Sequence, residues 1–200
     1  MNKKWIPLIV IAAVIFLLFF SIKGKYNTLV TLDEAVVAQW SQVENVYQRR
    51  ADLIPNLVST VKGYADFEKQ TLTDVIEARS KATGINIDAN NMNPEQLQQF
   101  QAAQKGLSSA LSRLMVVVER YPNLKANQNF LELQAQLEGT ENRISVERMK
   151  FIEITRNYNT SIRKFPSNIY ASMFGFERKP NFQADEGAEK APDVKDLLNN

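Results

Sequence analysis

Arg49, Arg50 and Asp52 stand just before Pro55. Much later come Glu141, Asn142 and Arg143, with Glu147 beyond them, and each set interrupts an otherwise apolar helical pattern. Charges set among apolar stripes need partners, because withdrawing an ion from water without one costs several kcal/mol. If the two segments pack antiparallel, Arg49 or Arg50 can meet Glu141 and Asp52 can meet Arg143. That pairing would fix a register that apolar stripes alone leave free to slide. The same residues could instead line a pocket for an anionic headgroup or a carboxyl-terminal peptide, since a guanidinium fork matches carboxylate and phosphate. Structural pairing is the preferred reading of this cluster.

Catalysis has a weaker footing. Asp66 with Glu68, or Glu138 with Glu141 one turn apart, can be drawn as the two acids of a hydrolase, but acid-rich helices produce such pairs by chance. The chain holds no His and no Cys. Their absence removes the commonest general base, thiol nucleophiles, disulfides and the usual soft-metal ligands. Its 7 Gly are scattered, so no phosphate-cradling loop can be drawn. No catalytic, metal-binding or cofactor-binding residue is assigned, and the expectation is a protein that is not an enzyme. The 24 basic and 22 acidic residues nearly cancel, and no basic run exceeds a pair. Nucleic acid is therefore not an expected partner.

The elements that must position these residues are helical. WIPLIVIAAVIFLLFFSI, from Trp5 to Ile22, carries no charge over 18 residues, roughly the length that crosses a bilayer's hydrocarbon core at about 1.5 Å per residue. Lys3 and Lys4 precede it, Lys23 and Lys25 follow it, and Trp5 and Tyr26 mark its edges as interfacial rings do. It is longer than a signal-peptide core and lacks a small-residue cleavage site, so it reads as an uncleaved single-pass anchor in the cell membrane. Two lysines on each side give the charge rule no difference to act on. The free amino terminus with Asp33 and Glu34 leans the remainder toward the extracytoplasmic side.

Beyond Gly24, Leu29, Leu32, Val36, Trp40 and Val43 recur at helical spacing. Pro55 predicts a kink or restart before Leu57, Val61 and Val75, and Gly84 a stop. Asn93-Pro94 opens a third helix bearing Leu97, Phe100, Leu107, Leu111 and Leu114, interrupted on its inner line by Gln104. Tyr121-Pro122-Asn123 predicts a turn, and a last long helix runs from near Asn127 to Lys164 before Pro166. The fold class is all-α, an N-terminal transmembrane helix followed by an elongated antiparallel bundle of about four long helices. The expected domains are an anchor over residues 1–25, a bundle over 26–176, in which SNIYASMFGFERKP begins to fold back, and a flexible polar tail over 177–200.

YNTLVTLDEAVVAQWSQVENVYQRRADLIPNLVSTVKGYADFEKQTL and LEGTENRISVERMKFIEITRNYNTSIRKFPSNIYASMFGF closely resemble the LemA family of bacterial membrane proteins. The resemblance implies an N-terminal membrane helix, a bundle of long antiparallel helices and no established catalytic activity. It also implies an accessory role, through links with membrane-remodelling organelle biogenesis and with neighbouring membrane proteases, and a cytoplasmic domain. The signature segments fall on Arg49, Arg50, Asp52, Pro55 and Asn56, and on Glu141, Asn142, Arg143, Asn159, Phe165 and Pro166. The family's GAEKAPDV-like run is followed by an aromatic, whereas Lys195-Asp196-Leu197 follows here. The expected function is a membrane-tethered scaffold or adaptor. Its partners are the bilayer through residues 5–22, a second copy in a homo-oligomer, or another membrane protein such as a membrane protease. Val37, Val117 and Ile152, placed outside a single seam, would serve such contacts. The alternative is a lipid- or peptide-binding module built on the arginine cluster.

Overall fold

The computed structural model describes residues 6–64 and 68–183. The helices follow in the order α1 (Ile6–Lys62), α2 (Lys69–Thr83), α3 (Pro94–Val118), the single turn α4 (Pro122–Lys125), α5 (Gln128–Arg163) and α6 (Ser167–Phe174). There is no strand among the described residues. Asn93 caps α3 by accepting from the Gln96 amide at 2.7 Å, and Asn127 caps α5 by accepting from the Phe130 amide at 3.1 Å. α1 and α5 run antiparallel, since Gln39 meets Glu147 while Arg50 meets Glu141. α2 and α3 do the same, with Ala82 against Gln104 and Glu68 against Arg120. α3 lies alongside α1 in the same direction, bringing Phe100 against Tyr47 and Gln104 against Arg50. The result is an up-down-up-down bundle.

The expected boundary near residue 25 is not a break in structure. α1 is one helix of 57 residues, about 86 Å long, and serves both as the apolar stretch and as the first bundle helix. Ile9, Ile11, Phe16, Leu17 and Phe20 are between 52% and 69% exposed, so among the described residues nothing covers this part of α1. It is long and apolar enough to cross a membrane.

Pro55 does not interrupt the helix either. A proline nitrogen carries no hydrogen, so the carbonyl four residues back, that of Ala51, loses its helical donor. Arg79 on α2 fills the vacancy, its Nε donating to the Ala51 carbonyl at 2.8 Å. The proline itself faces outward, where its ring is accommodated, and Leu57 and Val61 resume the buried stripe. The chain leaves α1 after Lys62 instead. The turn expected at Tyr121-Pro122-Asn123 is the entry to α4.

The buried residues form two clusters along the bundle. One, nearer the start of the bundle, gathers Leu29, Val36, Trp40, Phe100, Phe151 and Tyr158. Trp40 is its centre, with Phe100 and Phe151 rings at 5.5 and 5.4 Å in tilted edge contacts. The other gathers Ile54, Leu57, Leu107, Leu114, Phe130 and Leu137. Val117 belongs to this second core and is not a surface residue as expected, whereas its neighbour Val116 is 71% exposed.

Residues 177–183, assigned from sequence to a flexible tail, lie against the bundle. Phe182 is buried, 5.4 Å from the Phe151 ring. Asn159 holds this strap by its backbone: its Nδ2 donates to the Lys179 carbonyl at 2.8 Å and its Oδ1 accepts the Lys179 amide at 3.0 Å. Residues 184–200, with Lys195-Asp196-Leu197, lie outside the described residues.

The Pro55–Arg79 pairing has a measurable consequence. Arg79→Ala is expected to cost about 1–2 kcal/mol by leaving a buried carbonyl unpaired. In a Pro55→Ala background, where an amide is again available to Ala51, the same change should cost about 1 kcal/mol less. Denaturant unfolding of the four proteins of this cycle checks the coupling, and strict additivity would refute it.

Candidate functional site

Arg50 sits between the two apolar clusters and is 2% exposed. One terminal nitrogen donates to Glu141 Oε2 on α5 at 2.7 Å and to Ser108 Oγ on α3 at 2.9 Å. The other donates to Gln104 Oε1 on α3 at 2.6 Å. Gln104 is itself buried and passes the chain on, its Nε2 donating to the Ala82 carbonyl of α2 at 3.1 Å. Every long helix of the bundle thus contributes to one polar layer, with Thr140 buried beside Glu141 in sequence. The guanidinium also lies over the Tyr47 ring, 5.2 Å from its centroid. Burial pushes the Tyr47 phenol above its usual range, an effect that the Arg148 and Arg50 charges partly oppose.

The layer can sit there because Arg50 and Gln104 occupy inward positions of the helical repeat, while Glu141 reaches in from the edge beside the buried Thr140. Arg50 falls between Tyr47 and Ile54, Gln104 between Phe100 and Leu107, and on α5 Thr140 holds the inward position between Leu137 and Ile144. Glu141 keeps 57% of its side chain exposed, so the pair is solvated at one end and buried at the other. That arrangement limits the desolvation cost while leaving Arg50 dependent on its partners.

The other residues singled out from sequence are placed apart from this layer. Arg49, Asn142 and Arg143 are exposed. Asp52 is exposed too and accepts from Gln48 Nε2 at 2.7 Å on its own helix, so the expected Asp52–Arg143 pair does not form. The acid pairs are likewise engaged singly: Glu68 accepts from Arg120 at 2.7 Å, Glu138 from Gln134 at 2.9 Å, and Asp66 lies outside the described residues. Among the described residues, no group of three or more His, Cys, Asp or Glu side chains is placed to hold a metal ion.

Sequence reasoning missed Ser108, Arg79 and Arg148, and noted Gln104 without a partner for it. The signal for Gln104 was present, since a long amide at an inward position demands a polar neighbour. Arg148 lies 4.5 Å from the Phe182 ring centroid, over the strap. With Arg50, Lys105, Ser108 and Glu141 it lines a cleft of about 230 Å³. The Nε atoms of Arg50 and Arg148 are buried without a hydrogen-bond partner among the described residues.

Further polar contacts tie α1 to α5 and the strap to both. Gln39 Nε2 donates to Glu147 Oε2 at 2.7 Å, and with Lys150 it holds the Glu147 carboxyl below its usual range, Lys150 contributing more. Lys179 of the strap lies 3.3 Å from Asp33 Oδ1 and donates to the Asn90 carbonyl at 2.8 Å. Tyr158 donates to the Glu177 carbonyl at 2.9 Å. Burial, with the Asp33 carboxylate beside it, raises the Tyr158 phenol far above its ordinary value, so it remains a donor.

A structural role for Arg50 separates it sharply from its neighbour. Arg50→Ala is expected to lower unfolding free energy by about 3 kcal/mol, through the cavity and the unpaired Gln104 it leaves. Arg49→Ala should stay within about 0.5 kcal/mol of the parent. Chemical denaturation followed by circular dichroism checks both, and equal effects of the two changes would contradict this assignment.

Comparison with known proteins places this architecture. The sequence model of the LemA family matches residues 39–195. Magnetosome protein MamQ 1 of Paramagnetospirillum magneticum is 29% identical over 180 residues, covering 80% of this chain. MamQ of Magnetospirillum gryphiswaldense is 28% identical over 179 residues. The chain spans 65% and 64% of the length of these two relatives. Protein LemA of Metamycoplasma hominis is 24% identical over 197 residues, covering 98% of this chain and 86% of its own length. The family match takes in α1 from Gln39 onward, the polar layer and the strap, and the chain belongs to the LemA family.

Proposed function

We propose that this protein is a non-enzymatic, membrane-tethered scaffold or adaptor that acts through self-association or by binding other membrane proteins. The observation that carries the reading is α1 itself, an exposed apolar stretch that continues without a break into the bundle. A tether of this kind transmits its tilt to the bundle, so the rod is held at a set angle to the membrane. Val146, Met149 and Ile152 on α5 add support, because they recur every three residues and are 42%, 60% and 38% exposed. The kinship with magnetosome proteins fits a role in organising membrane-bound structures.

A second reading keeps the arginine cluster as a binding site for an anionic headgroup or a carboxylate. It is favoured by the cleft that Arg50, Lys105 and Arg148 line together. Under this reading Arg148 is the residue that separates binding from folding, since Arg50 is committed to the bundle.

Light scattering of the detergent-solubilised full chain over a concentration series tests the leading reading. Assembly beyond the monomer is expected, weakened by Met149→Glu with helical content unchanged. A monomer at every concentration removes self-association and leaves the adaptor form, for which a photo-crosslinker at Met149 in native membranes should join the protein to a membrane neighbour. Absence of any adduct would remove that form as well.

A further inference from the structure

α6 is a short helix with little of itself inside the protein. Of its residues only Ala171 is buried, while Ile169, Met173 and Phe174 are 55%, 59% and 42% exposed, and Phe165 just before it is 82% exposed. Ile169 and Met173 are spaced by four, so on the helical repeat of α6 they share one side, and Phe165 adds a further exposed ring in the turn just before the helix. Large apolar groups gathered on one surface call for a cover that the described residues do not supply.

The position of α6 along α1 identifies the cover. Leu29 of α1 shares its cluster with Ile162 of α5 and Ala171 of α6. The Phe174 ring lies 4.9 Å from the Tyr26 ring, and Phe176 lies 5.9 Å from it. Tyr26 is four residues past Ile22, where the uncharged stretch of α1 ends, an axial rise of about 6 Å. α6 therefore stands at the level where α1 would leave the hydrocarbon, the zone in which aromatic side chains settle. The charge around it matches. Lys23 and Lys25 on α1, Arg163 and Lys164 at the end of α5, and Arg178 just past α6 are all exposed, and Arg163 and Arg178 flank α6 across one shallow groove. Apolar side chains bordered by exposed cations are the pattern of an interfacial helix on an anionic bilayer.

We infer that α6 is a second membrane contact, with Phe165, Ile169, Met173 and Phe174 seated at the headgroup–acyl boundary beside the exit of α1. This rests on the reading of α1 as a membrane span. Two contacts, one through the bilayer and one on its surface, fix the rotation of the bundle about α1, which a single span leaves free.

The absence of native cysteine permits a direct test with single-cysteine variants. Full-length Ile169→Cys, Met173→Cys, Leu17→Cys and Val116→Cys are labelled with an environment-sensitive fluorophore and reconstituted, one copy per disc, into nanodiscs of phosphatidylcholine and phosphatidylglycerol. Quenching by a lipid carrying a doxyl group near the head of its acyl chain is compared with quenching by aqueous iodide. Circular dichroism confirms that each variant is folded. Labels at Ile169 and Met173 are expected to be quenched by the lipid at least about twofold more strongly than the label at Val116. The label at Leu17 should be reached by doxyl lipid and not by iodide. If Leu17 meets lipid while Ile169 and Met173 respond only to iodide, the α6 contact is overturned and the span stands. If Leu17 responds to iodide alone, the span fails and the α6 contact with it. Labels on α6 shielded from both quenchers would place protein rather than lipid over this face, and would also overturn the inference.

Discussion

The bundle is organised around one buried cation. Arg50 is almost wholly withdrawn from water, and its terminal nitrogens are taken by Glu141, Ser108 and Gln104. Apolar clusters above and below it are tolerant of sliding, because one leucine can exchange for another a turn away at small cost. A buried guanidinium has no such freedom, since any other register strands its charge without acceptors. The extension through Gln104 to the Ala82 carbonyl brings α2 under the same constraint. We propose that the layer specifies one register for the long helices, as single buried polar positions do in coiled coils.

A register fixed in this way allows α1 to act as a continuous rod. The helix absorbs Pro55 because Arg79 replaces the missing donor at the Ala51 carbonyl, and the bundle thereby receives the apolar stretch without a hinge. At the other end of the bundle, Asn159, Tyr158 and Lys179 clamp the strap across α1, α5 and the Asn90 loop. What emerges is a stiff helical body whose one open end is apolar and whose sides are polar with small apolar patches. The scaffold role proposed above rests on the continuity of α1 with this body.

Much of this architecture could be read from spacing alone. Trp40, Leu107 and Phe151 fall on helical stripes and are fully buried, and Asn93 and Asn127 cap the helices they were expected to open. Arg50 with Glu141 was one of two pairings that antiparallel packing allowed, and the helical phase chose it because Arg49 points to solvent. What was misread depended on partners far away in sequence. Pro55 looked like a break because the donor that repairs it comes from another helix. Asp52 and Arg143 looked complementary in charge, but both project outward. Residues 177–183 looked like tail because their polar composition hides a single buried Phe182 and backbone groups served by Asn159. Ser108 carried no sequence signal, since a serine on a helix is ordinary until a guanidinium reaches it.

The central claim is that Arg50 sets the register of α1 against α5, and it can be measured as a distance. Spin labels at Gln42→Cys on α1 and Ala135→Cys on α5, both exposed positions, report the axial offset of the two helices by pulsed electron resonance. The parent should give one narrow distance. With Arg50→Leu added, helical content should persist while the distribution broadens or shifts toward one helical turn, about 5.4 Å. The same single narrow distance in the Arg50→Leu protein would contradict the account, because the apolar stripes would then be setting the register without the polar layer.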